Sequence, residues 1–373
     1  MSQAKKIHSY KTLGNVAKRL RSDLNDRHFV LLFAYNGTGK TRLSMAFKDL
    51  SKLRKKSPAT ETLYYNAFTE DLFFWHNDLQ GDTERHLIVR KESKFFNGFK
   101  ELALDDRIFD FLERYTNFNF DLDIEKGTVV FSKQVKNPKA AFDPHAPEYI
   151  TANNIKISRG EENLFIWCVF LAICELVIDG DEAYNWVKYL YIDDPISSLD
   201  DNNAIALASD LGQLLKRGKD QLRVVVSSHH SLFFNIMYNE LKAIGHKSYF
   251  FHQRGDEGYR LQATHDTPFF HHVALVSELQ SVAQSGKIYT YHFNVLRSVL
   301  EKTANFFGYS DFSACISGID DEVLYARALN LLSHGKYSIY QPVEMNEDNK
   351  DLFKSIFKAF TDRYSFNLPE LFG

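Results

Sequence analysis

The stretch HFVLLFAYNGTGKTRLSMAF, from His28 to Phe47, constrains this chain more than any other. Residues 28–34 are an apolar run of strand length, the glycines of NGTG follow, and after Lys40-Thr41 the pattern turns helical. Strand, glycine-rich loop and helix in that order make a phosphate cradle, a P-loop, and predict an α/β domain. Glycine lets backbone N–H groups turn toward phosphate oxygens, and the helix N-terminus adds its partial positive charge. Asn36, Gly37, Thr38, Gly39, Lys40, Thr41 and Arg42 are therefore expected to bind a nucleotide. Lys40 is expected to reach the β- and γ-phosphates, and the Thr41 hydroxyl to ligate Mg²⁺. The pattern departs from GxxxxGK[ST] at its first position, where Ala34 stands; it is small enough to follow a strand.

Further motifs fall where a P-loop requires them. In YLYIDDPISSLDD an apolar run ends at Asp193-Asp194. The first carboxylate, Asp193, is expected to hold Mg²⁺, and Asp194 stands where a Glu commonly activates water. In VVVSSHHSLF a β-branched run leads to His229, which fits a histidine that senses the γ-phosphate; His230 falls one position late. In KISRGEENLFIWCVFLAICEL, Ser158, Gly160 and Glu161 open a long apolar helix. By itself S-x-x-E is also a capping box. Between the two phosphate motifs it resembles the LSGGQ signature of ATP-binding-cassette (ABC) ATPases, with Arg159 in place of the first Gly, and Ser197–Asp200 (SSLD) matches their D-loop. The motif order is similar to the SMC/Rad50-like type of ABC ATPase domain. That resemblance implies a homodimer or higher homo-oligomer in which the signature of one protomer closes over the P-loop of another. The segment between Lys40 and Ser158 holds no sustained heptads and no CxxC, so the coiled coil of that type is absent. Its aromatic stretch LYYNAFTEDLFFWHNDLQ reads as a compact lobe.

Composition bounds the rest. A net charge of -3 over 373 residues advertises no general nucleic-acid field. Three cysteines with no CxxC spacing read as buried thiols of a reducing compartment. The N-terminal MSQAKKIHSYKTLGN lacks the apolar core of a signal peptide, and the longest oily run is interrupted by Glu175. A cytoplasmic protein without membrane spans is expected. After KSYFFHQRGDEGYRLQ, which reads as a hairpin, the pattern becomes helical in four segments. The expected division is a nucleotide-binding domain over 1–262 and a small all-helical domain over 263–373. Within the latter, YTYHFNVLRSVLEKTANFFGY is an apolar helix that carries Arg297 and Glu301 four residues apart, on one face. Such a pair is an everyday salt bridge or part of an active site, and spacing alone does not choose.

AYNGTGKTRLS, YYNAFTEDLFFWHNDLQ, KISRGEENLFIW, YIDDPISSLDDN and YHFNVLRSVLEKTANFFGY together resemble the PrrC family of anticodon nucleases over most of the chain. The resemblance implies an NTP-regulated enzyme with ATP, GTP or dTTP and Mg²⁺ at the NTPase site. It also implies a helical C-terminal domain that cleaves tRNA, expected to be tRNA-Lys, without a metal. The family's trio of Arg, Glu four residues on, and a distant His falls on Arg297, Glu301 and His334. The RNA 2′-OH would attack the adjacent phosphate, with Glu301 and His334 as base and acid in an order left open. Arg297 would bind the phosphorane oxygens, and the ends would be 2′,3′-cyclic phosphate and 5′-OH. Asp266, just before the helical domain, is the implied contact to a modified anticodon base. A latent antiphage toxin silenced by a type I restriction–modification enzyme is the implied setting. The competing expectation is a defence or DNA-repair ATPase of the ABC type whose helical domain is a binding or regulatory module.

Overall fold

A computed structural model describes residues 7–54, 61–66, 73–77, 85–90, 104–143, 145–196, 201–253, 258–264, 270–316 and 344–364. The chain divides into a larger compact unit, Ile7–Ala263, and a smaller one beginning at Thr264. The strands of the larger unit are, in chain order, β1 (Ile7–Tyr10), β2 (Phe29–Phe33), β3 (Thr62–Asn66), β4 (Phe73–Asn77), β5 (Arg85–Val89), β6 (Phe118–Asp123), β7 (Thr128–Lys136), β8 (Tyr149–Ala152), β9 (Tyr189–Asp193), β10 (Val224–Ser228), β11 (Lys247–Gln253) and β12 (Tyr259–Ala263). Its helices are α1 (Leu13–Asp26), α2 (Lys40–Arg54), α3 (Leu104–Leu112), α4 (Arg159–Asp179), α5 (Asp201–Arg217) and α6 (Ser231–Leu241).

A seven-stranded sheet runs in the order β1-β12-β11-β2-β10-β9-β3. Its five strands from β11 to β3 are parallel, and the antiparallel β12 and β1 extend one edge. Strands β2 (FVLLF) and β10 (VVVSS) are buried at every residue. An unbroken buried run is what a parallel strand covered on both faces requires. On one face Val16, Leu20 and Leu24 of α1 and Leu43 and Phe47 of α2 join Val30 and Leu32 of β2 in a single core.

A second, antiparallel sheet, β4-β5-β7-β6 with β8 on β7, lies between α2 and α4 in the sequence. Here the expectation of one compact aromatic lobe needs correcting. Its first strand, β3, belongs to the parallel sheet, paired with β9 from Thr62↔Tyr189 to Asn66↔Asp193; only β4 onward builds the separate sheet. Helix α4 explains why the sequence between these sheets is so apolar. Phe165 meets Phe73, Phe120 and Phe131 of the antiparallel sheet at 5.2–6.0 Å, and Trp167 and Phe170 meet Tyr65 of β3 at 5.1 and 4.6 Å. A helix covered on all sides is hydrophobic all round. No helix among the described residues is long and apolar enough to cross a membrane. Cys168 and Cys174 lie within α4, and all three cysteines are buried free thiols.

The described part of the smaller unit is helical: α7 (Phe270–Ser285), α8 (Thr290–Phe307), a 3-10 turn Phe312–Ile316, and α9 (Glu347–Arg363). The segment DEVLYARALNLLSH, expected as a further helix, lies outside the described residues. Phe293, Leu296, Leu300 and Ala304 of α8 are buried at helical spacing, and Phe293 meets Phe353 of α9 edge-on at 5.3 Å. His292 starts α8: its Nδ1 accepts the Tyr289 N–H at 2.9 Å. Burial pushes its pKa down to about 4, which keeps the ring neutral for that acceptor role.

Candidate nucleotide site and a second polar pair

The P-loop leaves β2 and enters α2 at the carboxyl edge of the parallel sheet, the edge where α/β proteins bind ligands. Gly37 and Gly39 have φ of 82° and 92°. At Gly39 a Cβ would meet nothing within 4 Å, so the left-handed backbone is what favours glycine there, not a lack of space. Lys40 is buried, and its Nζ donates to the carbonyls of Ala34 and Tyr35 and to Asn36 Oδ1 at 3.0–3.1 Å. The same Nζ lies 3.5 Å from Asp194 Oδ2. Burial lowers the Lys40 pKa against the opposing pull of Asp194 and Asp193. Gly37 in the loop and Thr41 and Arg42 at the start of α2 are exposed, and Thr38 closes the loop with an Oγ1 bond to the Tyr35 carbonyl at 2.8 Å.

Strand order does the rest. β10 lies between the P-loop strand and β9, so Ser227 is the register partner of Asp193 and Ser228 that of Phe33. Ser227 Oγ donates to Asp193 Oδ1 at 2.6 Å. Asp194 adopts φ 53°, a left-handed conformation that Asp tolerates better than most residues. In that conformation its N–H reaches the Ser227 carbonyl at 2.7 Å, and both its carboxylate oxygens stand 2.6 Å from His229 Nδ1. The His229 N–H also donates to Asp194 at 3.1 Å. Burial raises the Asp194 pKa, but the His229 hydrogen bond and the charges of Lys40 and His229 outweigh it, so the carboxyl titrates below its ordinary range. Lys40, Asp194 and His229 thus form one bonded group. His230 does a different job: its ring accepts the Phe233 N–H and caps α6.

Asp193 and Thr41 fit a hard divalent cation. Asp193 is buried, and burial raises its pKa against hydrogen bonds from Ser227 and Thr41, so the site disfavours the charged carboxylate and a cation would restore it. One carboxylate and one hydroxyl leave the other octahedral positions to phosphate oxygens and water, which is how Mg²⁺ is held in nucleotide sites. Sequence reasoning missed two residues here. Tyr64 and Asn66 of β3 lie beside β9: Asn66 Nδ2 and Ser44 Oγ each donate to the Tyr64 hydroxyl at 3.1 Å, and that hydroxyl is 3.5 Å from Asp193 Oδ2. Burial, and then Asp193, push the Tyr64 pKa up to about 12, so it stays a donor. The signal was present in the YYN of the aromatic stretch, but nothing local said that this strand joins the parallel sheet. Tyr64→Phe is expected to raise the Mg²⁺ concentration for half-maximal NTP hydrolysis by roughly 2- to 10-fold, the worth of one hydrogen bond. A Mg²⁺ titration of turnover checks it, and an unshifted midpoint would place Tyr64 outside the metal site.

Ser158 and Glu161 bond each other. Ser158 caps α4 by accepting the Glu161 N–H at 3.3 Å, and its own N–H donates to Glu161 Oε2 at 2.8 Å. Among the described residues neither bonds the P-loop of its own chain, and Gly160 sits in the first turn behind them. The D-loop residues Ser197–Asp200 lie outside the described residues.

In the smaller unit, Arg297 Nε donates to Glu301 Oε1 at 2.7 Å, with the side chains 24% and 46% exposed. The Arg297 guanidinium also lies over the Phe312 ring, 5.5 Å from its centroid. An ion pair this exposed contributes little to stability. His334 and Asp266 lie outside the described residues.

A parallel sheet with a P-loop after its central strand, a buried Asp on the next strand but one and a histidine between them defines a P-loop nucleoside triphosphatase, here carrying a second, helical unit. A family model described as an AAA domain matches residues 149–362, which runs from strand β8 through α4 and into α9 of the smaller unit. The chain is 35% identical over 341 residues to the anticodon nuclease of Escherichia coli, covering 83% of this chain and 82% of that protein. It belongs to the anticodon nuclease (PrrC) family. Among solved structures, the SmcHead bound to the C-winged helix domain of ScpA aligns with 65% of this chain and 92% of that one at a TM-score of 0.29 and 11% identity. A likeness that slight adds nothing to the fold argument.

Proposed function

We propose that this chain is an NTP-regulated anticodon nuclease that cleaves tRNA, with tRNA-Lys the favoured substrate, through Arg297, Glu301 and His334. The observation that supports it most is the half-exposed Arg297–Glu301 contact on the smaller unit, in a chain whose family is named for this cleavage and whose nucleotide residues all lie on the larger unit. The 2′-OH oxygen attacks the neighbouring phosphorus as a base takes its proton. The bond to the 5′-oxygen breaks as an acid protonates that oxygen. Glu301 and His334 supply base and acid between them, and the Arg297 guanidinium neutralises the phosphorane oxygens. Asp266 contacts the anticodon.

On the larger unit ATP, GTP or dTTP sits on Asn36–Arg42, with Mg²⁺ at Thr41 and Asp193. Asp194 orients the attacking water, and His229, held by Asp194, contacts the γ-phosphate. The Ser158–Glu161 turn completes the P-loop of a second copy, so the working NTPase is a homodimer or larger. Latency under a type I restriction–modification enzyme and release during phage infection complete the reading.

The test is the chemistry of the ends. RNA cleaved by the activated protein is expected to carry 2′,3′-cyclic phosphate and 5′-OH ends in the anticodon loop, and cleavage by pre-activated protein is expected to persist in EDTA. Ends with 5′-phosphate and 3′-OH, or complete inhibition by EDTA, would overturn the mechanism.

A further inference from the structure

Helix α8 does not end where its buried face ends. Its last two residues, Phe306 and Phe307, are 84% and 50% exposed, although both are large and apolar. Gly308 then closes the helix with φ 75°, and the chain turns back to bring Tyr309 against Phe307. Phe307 stacks on Tyr309 with ring centroids 6.0 Å apart at 23°, and Tyr364, just after α9, tilts against Phe307 at 5.2 Å. Phe306 stands edge-on to Phe307 at 5.2 Å. The result is an aromatic step at the surface, supported from behind by two tyrosines.

One cation stands beside the step, and the 3-10 turn it bonds is also touched by the arginine of the polar pair. Arg363 lies over the Tyr364 ring at 5.6 Å and donates to the Ala314 carbonyl at 2.8 Å. Arg297 lies over Phe312 in the same 3-10 turn. Two guanidinium groups therefore touch the turn 312–316, Arg297, which bonds Glu301, at Phe312 and Arg363, which lies over Tyr364, at Ala314. Phe307 is six residues past Glu301, ~9 Å along the axis and about 120° around it at ~3.6 residues per turn, so the step and the polar pair face different sides of α8.

We infer that Phe306 and Phe307 form a stacking platform for an unpaired base of the RNA loop, with Arg363 steering the adjoining backbone. Aromatic identity argues for a base over an apolar peptide. Every base has a π-face, and solvent-exposed rings with a guanidinium group beside them are how proteins hold single-stranded RNA. Looped RNA fits where a duplex does not, because only unstacked bases can reach the rings. The inference rests on the nuclease reading above and adds to it the residues that grip the loop.

The test measures binding with the full chain carrying Glu301→Gln, so that the RNA stays whole. The probe is a tRNA-Lys anticodon stem-loop with 2-aminopurine in its loop, compared with the same RNA annealed to a complementary strand. The double change Phe306→Ala and Phe307→Ala is expected to weaken stem-loop binding on the order of 10-fold or more. It should also abolish the quenching of 2-aminopurine and leave binding of the annealed duplex unchanged. Phe306→Trp is expected to keep both affinity and quenching. Thermal unfolding serves as the fold control, and Phe306→Ala alone, at the more exposed ring, covers the case in which the double variant unfolds. Unchanged affinity and quenching while the parent binds the stem-loop would overturn the platform and leave the nuclease reading standing. A parent that binds no RNA would overturn both. Loss of self-association with RNA binding intact would overturn the platform and make the step a protein interface.

Discussion

Lys40→Ala is expected to lower NTP hydrolysis by at least ~10²–10³, the scale set by removing one preorganised charge donor from a phosphate or oxyanion site. Lys40 is the buried cation of the P-loop, within 3.5 Å of Asp194 and bonded to its own loop carbonyls. Phosphate oxygens would exchange with those carbonyls, so the side chain is already aimed into the cradle. The substitution also acts on Asp194, whose pKa the Lys40 charge helps to lower. A carboxyl held below its unfolded value stabilises the fold above that value, and the contribution fades as pH falls through the folded pKa. Without Lys40 part of that contribution is gone, and the remaining acid transition moves to higher pH. The fold itself should persist at neutral pH, because Asp194 keeps His229. Mixed with a Ser158→Arg chain, the Lys40→Ala chain should regain about one working site per heterodimer, since each chain brings the half that the other lacks. Unchanged turnover in the single variant removes the ATPase assignment; a mixture as inactive as its parents removes the shared site.

For the second unit, Glu301→Gln is expected to lower tRNA cleavage by ~10²–10⁴, the usual cost of losing a general acid or base. Growth arrest on expression should disappear with it. The change is nearly isosteric and lies at a half-exposed position, where the lost ion pair with Arg297 costs under ~1 kcal/mol of stability. NTP hydrolysis should be spared, since the residues assigned to the nucleotide site lie in the unit Ile7–Ala263. His334→Ala should behave alike in both assays. A regulator without nuclease chemistry would show no such separation. Full cleavage by Glu301→Gln would reduce Arg297–Glu301 to a helix salt bridge.

The nucleotide site and the Arg297–Glu301 pair differ in how they are written in the chain. Lys40, Thr41, Asp193 and His229 were legible one at a time, because each follows an apolar run within its own local signature. Arg297 and Glu301 were legible as neighbours because the helical repeat brings residues four apart onto one face, and they meet at 2.7 Å. The capping box at Ser158 was equally local, since Ser and Glu three apart close the first turn by themselves.

What lies across the sheet was not legible. Asp194 and His229 are far apart in sequence and meet because β10 pairs with β9 on one side and β2 on the other. Tyr64 and Asn66 come to Asp193 only because β3 joins the parallel sheet instead of the antiparallel one that follows it. Strand pairing is made by backbone hydrogen bonds that carry no side-chain label, so an apolar strand fits several neighbours until the whole sheet is assembled. The aromatic step has the same origin. Phe306 and Phe307 read in sequence as the oily end of a buried helix. They stay at the surface because α9 covers the Phe293 face of α8 and, where it ends, sets Tyr364 behind Phe307. Sequence alone named most of the candidate groups, through local motifs and spacings of a few residues. The tertiary structure decided which of them touch and which remain open to a ligand, because those contacts depend on the pairing of strands and helices distant in the chain.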